Sequence, residues 1–190
     1  MGQSSSCFTD RELEAYETAT YLSRNEIHVA FKTFWNLDKA NVSVDRNCAL
    51  PMETIQSLPE LKVNPFQDRI CQVFSTNDNG ALTFEDFLDM LSVFNDKSTL
   101  ETKLEYAFRI YDFDDDKIIS RSDIEQAILC LIKTSHACDE DILSEEQIEF
   151  LIDKVMDEAD MDIEDGIGYA EFCSLMRKKP EFLEYFSIRL

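Results

Sequence analysis

A chain of 190 residues with 44% hydrophobic side chains but only 4 glycines and 4 prolines is too apolar for disorder and too poor in chain breakers for a turn-rich β fold, so an all-α architecture is the default. Its formal net charge of −21 repels nucleic-acid phosphates and anionic lipid and attracts basic segments, which argues against nucleic acid as a partner. Apolar runs fall short of the ~18–20 residues of a bilayer span. The six cysteines (Cys7, Cys48, Cys71, Cys130, Cys138, Cys173) lie scattered, without a C-x-x-C pair or a signal peptide, so free thiols in a cytoplasmic protein are expected.

The chain opens MGQSSS, which puts Gly2 behind the initiator Met and Ser6 at the place N-myristoylation favours. Gly2 is therefore the candidate lipidation site, with Cys7 as a second acyl acceptor. Helix starts follow at S/T-x-x-E/Q capping boxes, where two side chains satisfy orphan N–H groups reciprocally: Thr9/Glu12, Ser23/Glu26, Ser98/Glu101 and Ser144/Gln147. Behind them, apolar residues recur at helical spacing and predict core stripes: Ile27, Ala30, Phe31 and Phe34, then Leu104, Phe108 and Tyr111, then Ile148, Leu151, Ile152 and Val155.

Short polar loops recur near Ser75, Asp112 and Asp160, each with an apolar residue at its eighth place: Leu82, Ile119 and Ile167. This is an internal helix–loop–helix repeat. A fourth, earlier unit is expected from a helix ending near Trp35, a loop through 36–50 and a helix with Pro51 in its first turn. Its loop holds only Asp38 and Asp45 as carboxylates, so it is expected to carry no ion. The expected organisation is an N-terminal extension (1–22), one pair of units (23–96), a second pair (97–179) and an apolar C-terminal tail (180–190). In the tail Phe182, Phe186 and Leu190 share a helical face suited either to plugging an apolar groove or to packing permanently as a terminal element.

Scored against a calcium loop of the EF-hand type, with oxygen donors at places 1, 3, 5, 7, 9 and 12 and glycine at 6, the three repeats differ. The third runs from Asp112 to Asp123, with Asp112, Asp114, Asp116, the Ile118 carbonyl, Ser120 and Asp123 at the donor places and Lys117 at the turn. Asp123 is one methylene shorter than the usual bidentate Glu, which lowers the coordination number and lets Mg²⁺ compete with Ca²⁺. The fourth offers Asp160, Asp162, Glu164, the Gly166 carbonyl and Glu171, with Asp165 at the turn and Gly168 at the ninth place. The second, Ser75 to Asp86, keeps Asn77, Asn79 and Gly80 but has only Asp86 as a donor carboxylate. Ions are expected in the third and fourth loops only.

The runs SLPELKVNPFQDRICQVFS (57–75), YAFRIYDFDDD (106–116) and PEFLEYFSIRL (180–190) lie mostly outside the ion ligands, and they resemble the calcium- and integrin-binding protein family over nearly the whole chain. The resemblance implies two ion-free N-terminal hands, a third hand accepting Mg²⁺ or Ca²⁺ and a Ca²⁺-binding fourth. It also implies binding to membrane-proximal helices such as integrin α tails and the cytoplasmic helices of transmembrane channel-like proteins, hence a place at the plasma membrane. An adaptor or auxiliary subunit with an apolar groove for an amphipathic helix is the leading function. A phosphatase or kinase regulatory subunit similar to calcineurin B is the alternative, and a calcium buffer is disfavoured by fourteen Phe. No enzyme is expected, because His28 and His136 have no nucleophile or metal-ligand partner at a recognised spacing.

Overall fold

The computed structural model describes residues 7–134, 143–159 and 166–179. Among the described residues it is mostly helical, as the composition leads one to expect. Helix α1 (Asp10–Ala19) starts at the predicted Thr9/Glu12 box, and α2 (Arg24–Leu37) at the Ser23/Glu26 box. Short helices α3 (Lys39–Val44), α4 (Met52–Ile55) and α5 (Pro59–Lys62) lead to α6 (Gln67–Phe74) and α7 (Phe84–Val93). The second half comprises α8 (Leu100–Tyr111), strand β1 (Ile118–Ile119), α9 (Arg121–Thr134), α10 (Glu145–Glu158), strand β2 (Ile167–Gly168) and α11 (Tyr169–Met176). The chain belongs to the all-α EF-hand class, and its hands are held in pairs at their eighth places. Leu50 and Leu82 form an antiparallel bridge, while Ile119 pairs with Ile167 and Ile118 with Gly168.

Two apolar cores result. The first gathers α1, α2, α6 and α7 around Phe34, Phe84 and Phe87, all fully buried. Phe8 enters it too, with ring centroids 5.0 Å from Phe31 and 5.6 Å from Phe84, so the chain ahead of α1 is pinned by burial worth roughly 1.5–3 kcal/mol. The second core holds Leu104, Ala107, Phe108, Ile119, Ile124, Ile152, Met156, Ile167 and Phe172. Helix α8 serves both. Its Leu104, Ala107 and Phe108 face the second core, while Ile110 is buried in the first and Tyr106 packs against it, stacked on Phe74 at 4.7 Å.

Several local expectations need correction. The Ser98/Glu101 box does not form: Thr99 is the N-cap and accepts from Thr102 N at 3.2 Å, starting α8 one residue later. The loop expected through 36–50 folds in part as α3, because Asp38 caps it by accepting from Asn41 N at 3.0 Å. Pro51 stands just before α4 as its N-cap. On α10 the predicted core stripe is half right, since Ile152 is buried and Ile148 packs on the second core, but Leu151 and Val155 are 38% and 40% exposed.

Candidate metal centre

The third loop joins the C-terminus of α8 to β1 and α9. Two residues in the left-handed region, Asp115 (φ 60°) and Lys117 (φ 73°), fold it tightly. The loop then closes on its own carboxylates. Asp112 accepts from Asp116 N at 3.2 Å and from Lys117 N at 3.0 Å, and Asp116 accepts from Ile118 N at 2.8 Å. Consequently Asp112, Asp114 and Asp116 each place a carboxylate oxygen within 4.8 Å of the others. Asp112 is 3% exposed. Burial pushes its carboxyl above the ordinary 3.8, the Lys117 N–H opposes this, and the like charges of Asp115, Asp116 and Asp123 add to it. A hard divalent cation bound by oxygen relieves both the desolvation and the repulsion, so this donor set fits Ca²⁺ or Mg²⁺.

The remaining donors of the third loop are placed differently. Asp123, 1% exposed, stands outside the three-carboxylate cluster: its Oδ1 accepts from Phe113 N at 2.9 Å, and its Oδ2 accepts from Ser120 N at 2.9 Å and Ser120 Oγ at 2.5 Å. Ser120 and Asp123 therefore act as a reciprocal cap for α9 as well as standing at donor places. The sequence reading missed that cap because its pattern required Glu or Gln. Ile118 lies in β1, bonded to the strand of the fourth hand.

In the fourth loop, Asp160, Asp162 and Glu164 lie outside the described residues, as do Gly2 and the tail 180–190. Gly166, at the seventh place, is described and carries φ 65°. A Cβ there would lie 2.4 Å from Ile118 Cγ2 and 3.1 Å from the Ile119 carbonyl oxygen. Glycine at 166 thus serves the close approach of the two loops. Glu171 sits exposed in the first turn of α11.

One residue at the centre had no sequence forecast. Arg69, on α6 and only 6% exposed, reaches over to the third loop. Its guanidinium donates to the Arg109 carbonyl at 2.9 Å, to the Asp112 carbonyl, and to both carboxylate oxygens of Asp115. Arg109 answers in the other direction, donating to the Val73 carbonyl at 3.0 Å. The available signal was a lone cation beside the buried Ile70 and Val73. Nothing in sequence spacing ties it to a loop some forty residues away.

Comparison with known proteins is consistent with this geometry. The model of an EF-hand domain pair matches residues 101–177. Calcium and integrin-binding family member 2 of Mus musculus is 36% identical over 194 residues, covering 100% of both chains. Family member 3 of Homo sapiens is 37% identical over 194 residues, and family member 2 of Drosophila melanogaster 37% over 196, again with 100% coverage of both.

Proposed function

Since the chain belongs to the calcium and integrin-binding protein family, we propose that it is a Ca²⁺- and Mg²⁺-binding adaptor or auxiliary subunit that docks an amphipathic cytoplasmic helix of a membrane protein, and not an enzyme. Integrin α tails and transmembrane channel-like proteins are the partner classes proposed. The observation that carries the reading is a set of apolar side chains exposed on α9 and α10 among the described residues. Leu151 and Val155 lie one turn apart on α10, and Leu131 on the α9 it packs against is 52% exposed. Such surface invites a helix with apolar residues at three- and four-residue spacing. The −21 net charge adds attraction for a target whose other face is basic.

Under this proposal Asp112, Asp114, Asp116 and Asp123 hold one ion, Asp160, Asp162, Glu164 and Glu171 a second, and the carbonyls of Ile118 and Gly166 contribute. Acylation at Gly2 supplies a weak, reversible membrane contact, so peripheral location at the plasma membrane depends on the partner. The test is calorimetry with a basic amphipathic tail helix in Ca²⁺, in Mg²⁺ and in chelator, repeated with Leu151→Glu and Val155→Glu. Binding that is lost in both variants while ion uptake persists supports the docking surface; binding equal to wild type overturns it.

A further inference from the structure

We propose that Arg69 is the positioning residue of the third ion loop, and that through it the state of that loop is passed to α6 in the N-terminal pair. This rests on the reading of the third loop as an ion site. Asp115 stands at the loop's fourth place, which supplies no side-chain donor to an EF-hand ion. It is held in the left-handed region, at φ 60°, which an acidic side chain tolerates better than most but does not favour. Arg69 fixes it. The same guanidinium grips Asp115 on one side and the carbonyls of Arg109 and Asp112 on the other, so it spans the last turn of α8 and the head of the loop. Asp112 and Asp116, on either side of that grip, belong to the converging carboxylates.

The grip joins a buried cation to an exposed carboxylate, the Arg69 side chain being 7% and that of Asp115 68% exposed. Arg69 is buried, and its Nε has no hydrogen-bond partner among the described residues, so a removed partner leaves more of a buried cation unsatisfied. Arg69 lies one residue from Ile70, which is buried in the first core, and Arg109 bonds back to Val73 on the same helix. A shift of the loop on ion uptake is therefore transmitted as a shift of α6, and the converse holds by linkage. Outer-shell groups that orient ligands in this way alter metal affinity by roughly 10–100-fold when replaced.

Asp78 supplies an internal control. It occupies the fourth place of the second loop, also left-handed at φ 54°, and lines the same 690 Å³ cleft as Asp115 and Arg69. Asparagine tolerates that backbone region, so Asp115→Asn and Asp78→Asn each remove one charge near the site without backbone strain. The experiment is titration of the full chain with CaCl2 and with MgCl2, in a Glu171→Gln background that weakens the fourth loop. Asp115→Asn is expected to weaken third-loop affinity about tenfold, Asp78→Asn less than twofold, and Asp115→Asn to cost nothing further once Arg69→Gln is present. Hydrogen exchange should show ion-dependent protection of α6 amides in the parent and not in Asp115→Asn. Equal losses from Asp115→Asn and Asp78→Asn, or unchanged α6 protection in Asp115→Asn, would overturn the proposal. If the parent takes up no ion at all in the third loop, it is the ion-site reading that fails. Should Arg69→Gln not fold, the comparison of the two asparagine variants and the exchange experiment still decide.

Discussion

The second and third loops have nearly the same backbone turn and opposite chemistry. Each turns left-handed at its fourth and sixth places: Asp78 (φ 54°) and Gly80 (φ 75°) in one, Asp115 (φ 60°) and Lys117 (φ 73°) in the other. Each presents its eighth residue to a partner loop. Yet the second loop is closed by neutral groups and a single carboxylate, that of Asp86. Ser75 Oγ donates to the Ala81 carbonyl at 2.8 Å, Asn79 Oδ1 accepts from Ala81 N at 2.9 Å, and Asp86 is engaged by Thr83 N and Oγ in a reciprocal cap. The third loop places three carboxylates where the second has Ser75, Asn77 and Asn79. Turn geometry and donor chemistry are thus separable: hydrogen bonds complete one loop, while the other gathers like charges that a cation would relieve.

That contrast can be broken most severely at the first place of each loop. Asp112→Ala is expected to abolish ion uptake by the third loop in calorimetry. Ser75→Ala should leave ion binding untouched and cost about 1 kcal/mol in denaturant unfolding, the typical worth of one hydrogen bond. At the sixth place the two loops should respond with opposite sign. Gly80→Ala forces a Cβ into the left-handed region, with Met52 Cε only 2.0 Å away. It is expected to destabilise by about 1–2 kcal/mol, most of it backbone strain, because the Met52 tip can move. Lys117→Gly removes such strain but adds freedom to the unfolded chain, so a net gain of about 0.5–1 kcal/mol in chelator is expected.

The smallest effect is a pH dependence of opposite sign in the two halves. Glu12 is held down to about 2 by the Thr9 N–H and then Arg46, and Glu26 to about 2 by Lys97 and then Ser23. Folded values below the unfolded 4.5 mean that their stabilisation is present above that pH and is lost as pH falls toward about 2. Asp112 behaves inversely. Its folded value is raised above 3.8, so the ion-free fold binds this proton more readily than the unfolded chain and loses stability as pH rises through that range. Unfolding in chelator from pH 3 to 7 should therefore show a component that Asp112→Asn removes and Glu26→Gln does not, and saturating Ca²⁺ should suppress it.

Much of this frame was legible in sequence. The eighth-place residues Leu82, Ile119 and Ile167 all lie in loop-to-loop pairs, because an apolar residue amid polar loop residues has one way to be buried. Three of the four forecast capping boxes form, and the exception has a local cause in Thr99. What escaped was either one methylene away from the search pattern or far away in sequence. The caps at Thr83/Asp86 and Ser120/Asp123 use the shorter carboxylate. Arg69 is tied to the third loop by tertiary packing alone. The exposure of Leu151 and Val155 was hidden for a related reason: periodicity shows that a helix has an apolar face but not whether anything covers it.

The central claim, that the third loop takes the ion and the second closes without one, rests on two equivalent amides. Lys117 N donates to Asp112 Oδ2 at 3.0 Å, whereas Gly80 holds the same sixth place in a loop with no carboxylate at its first, third or fifth. Following both by NMR during Ca²⁺ titration of the labelled chain is the direct test. The Lys117 amide should shift saturably while Gly80 stays within the drift of distant residues. A Gly80 amide that titrates in parallel with Lys117, or a Lys117 amide that does not move, would contradict the account.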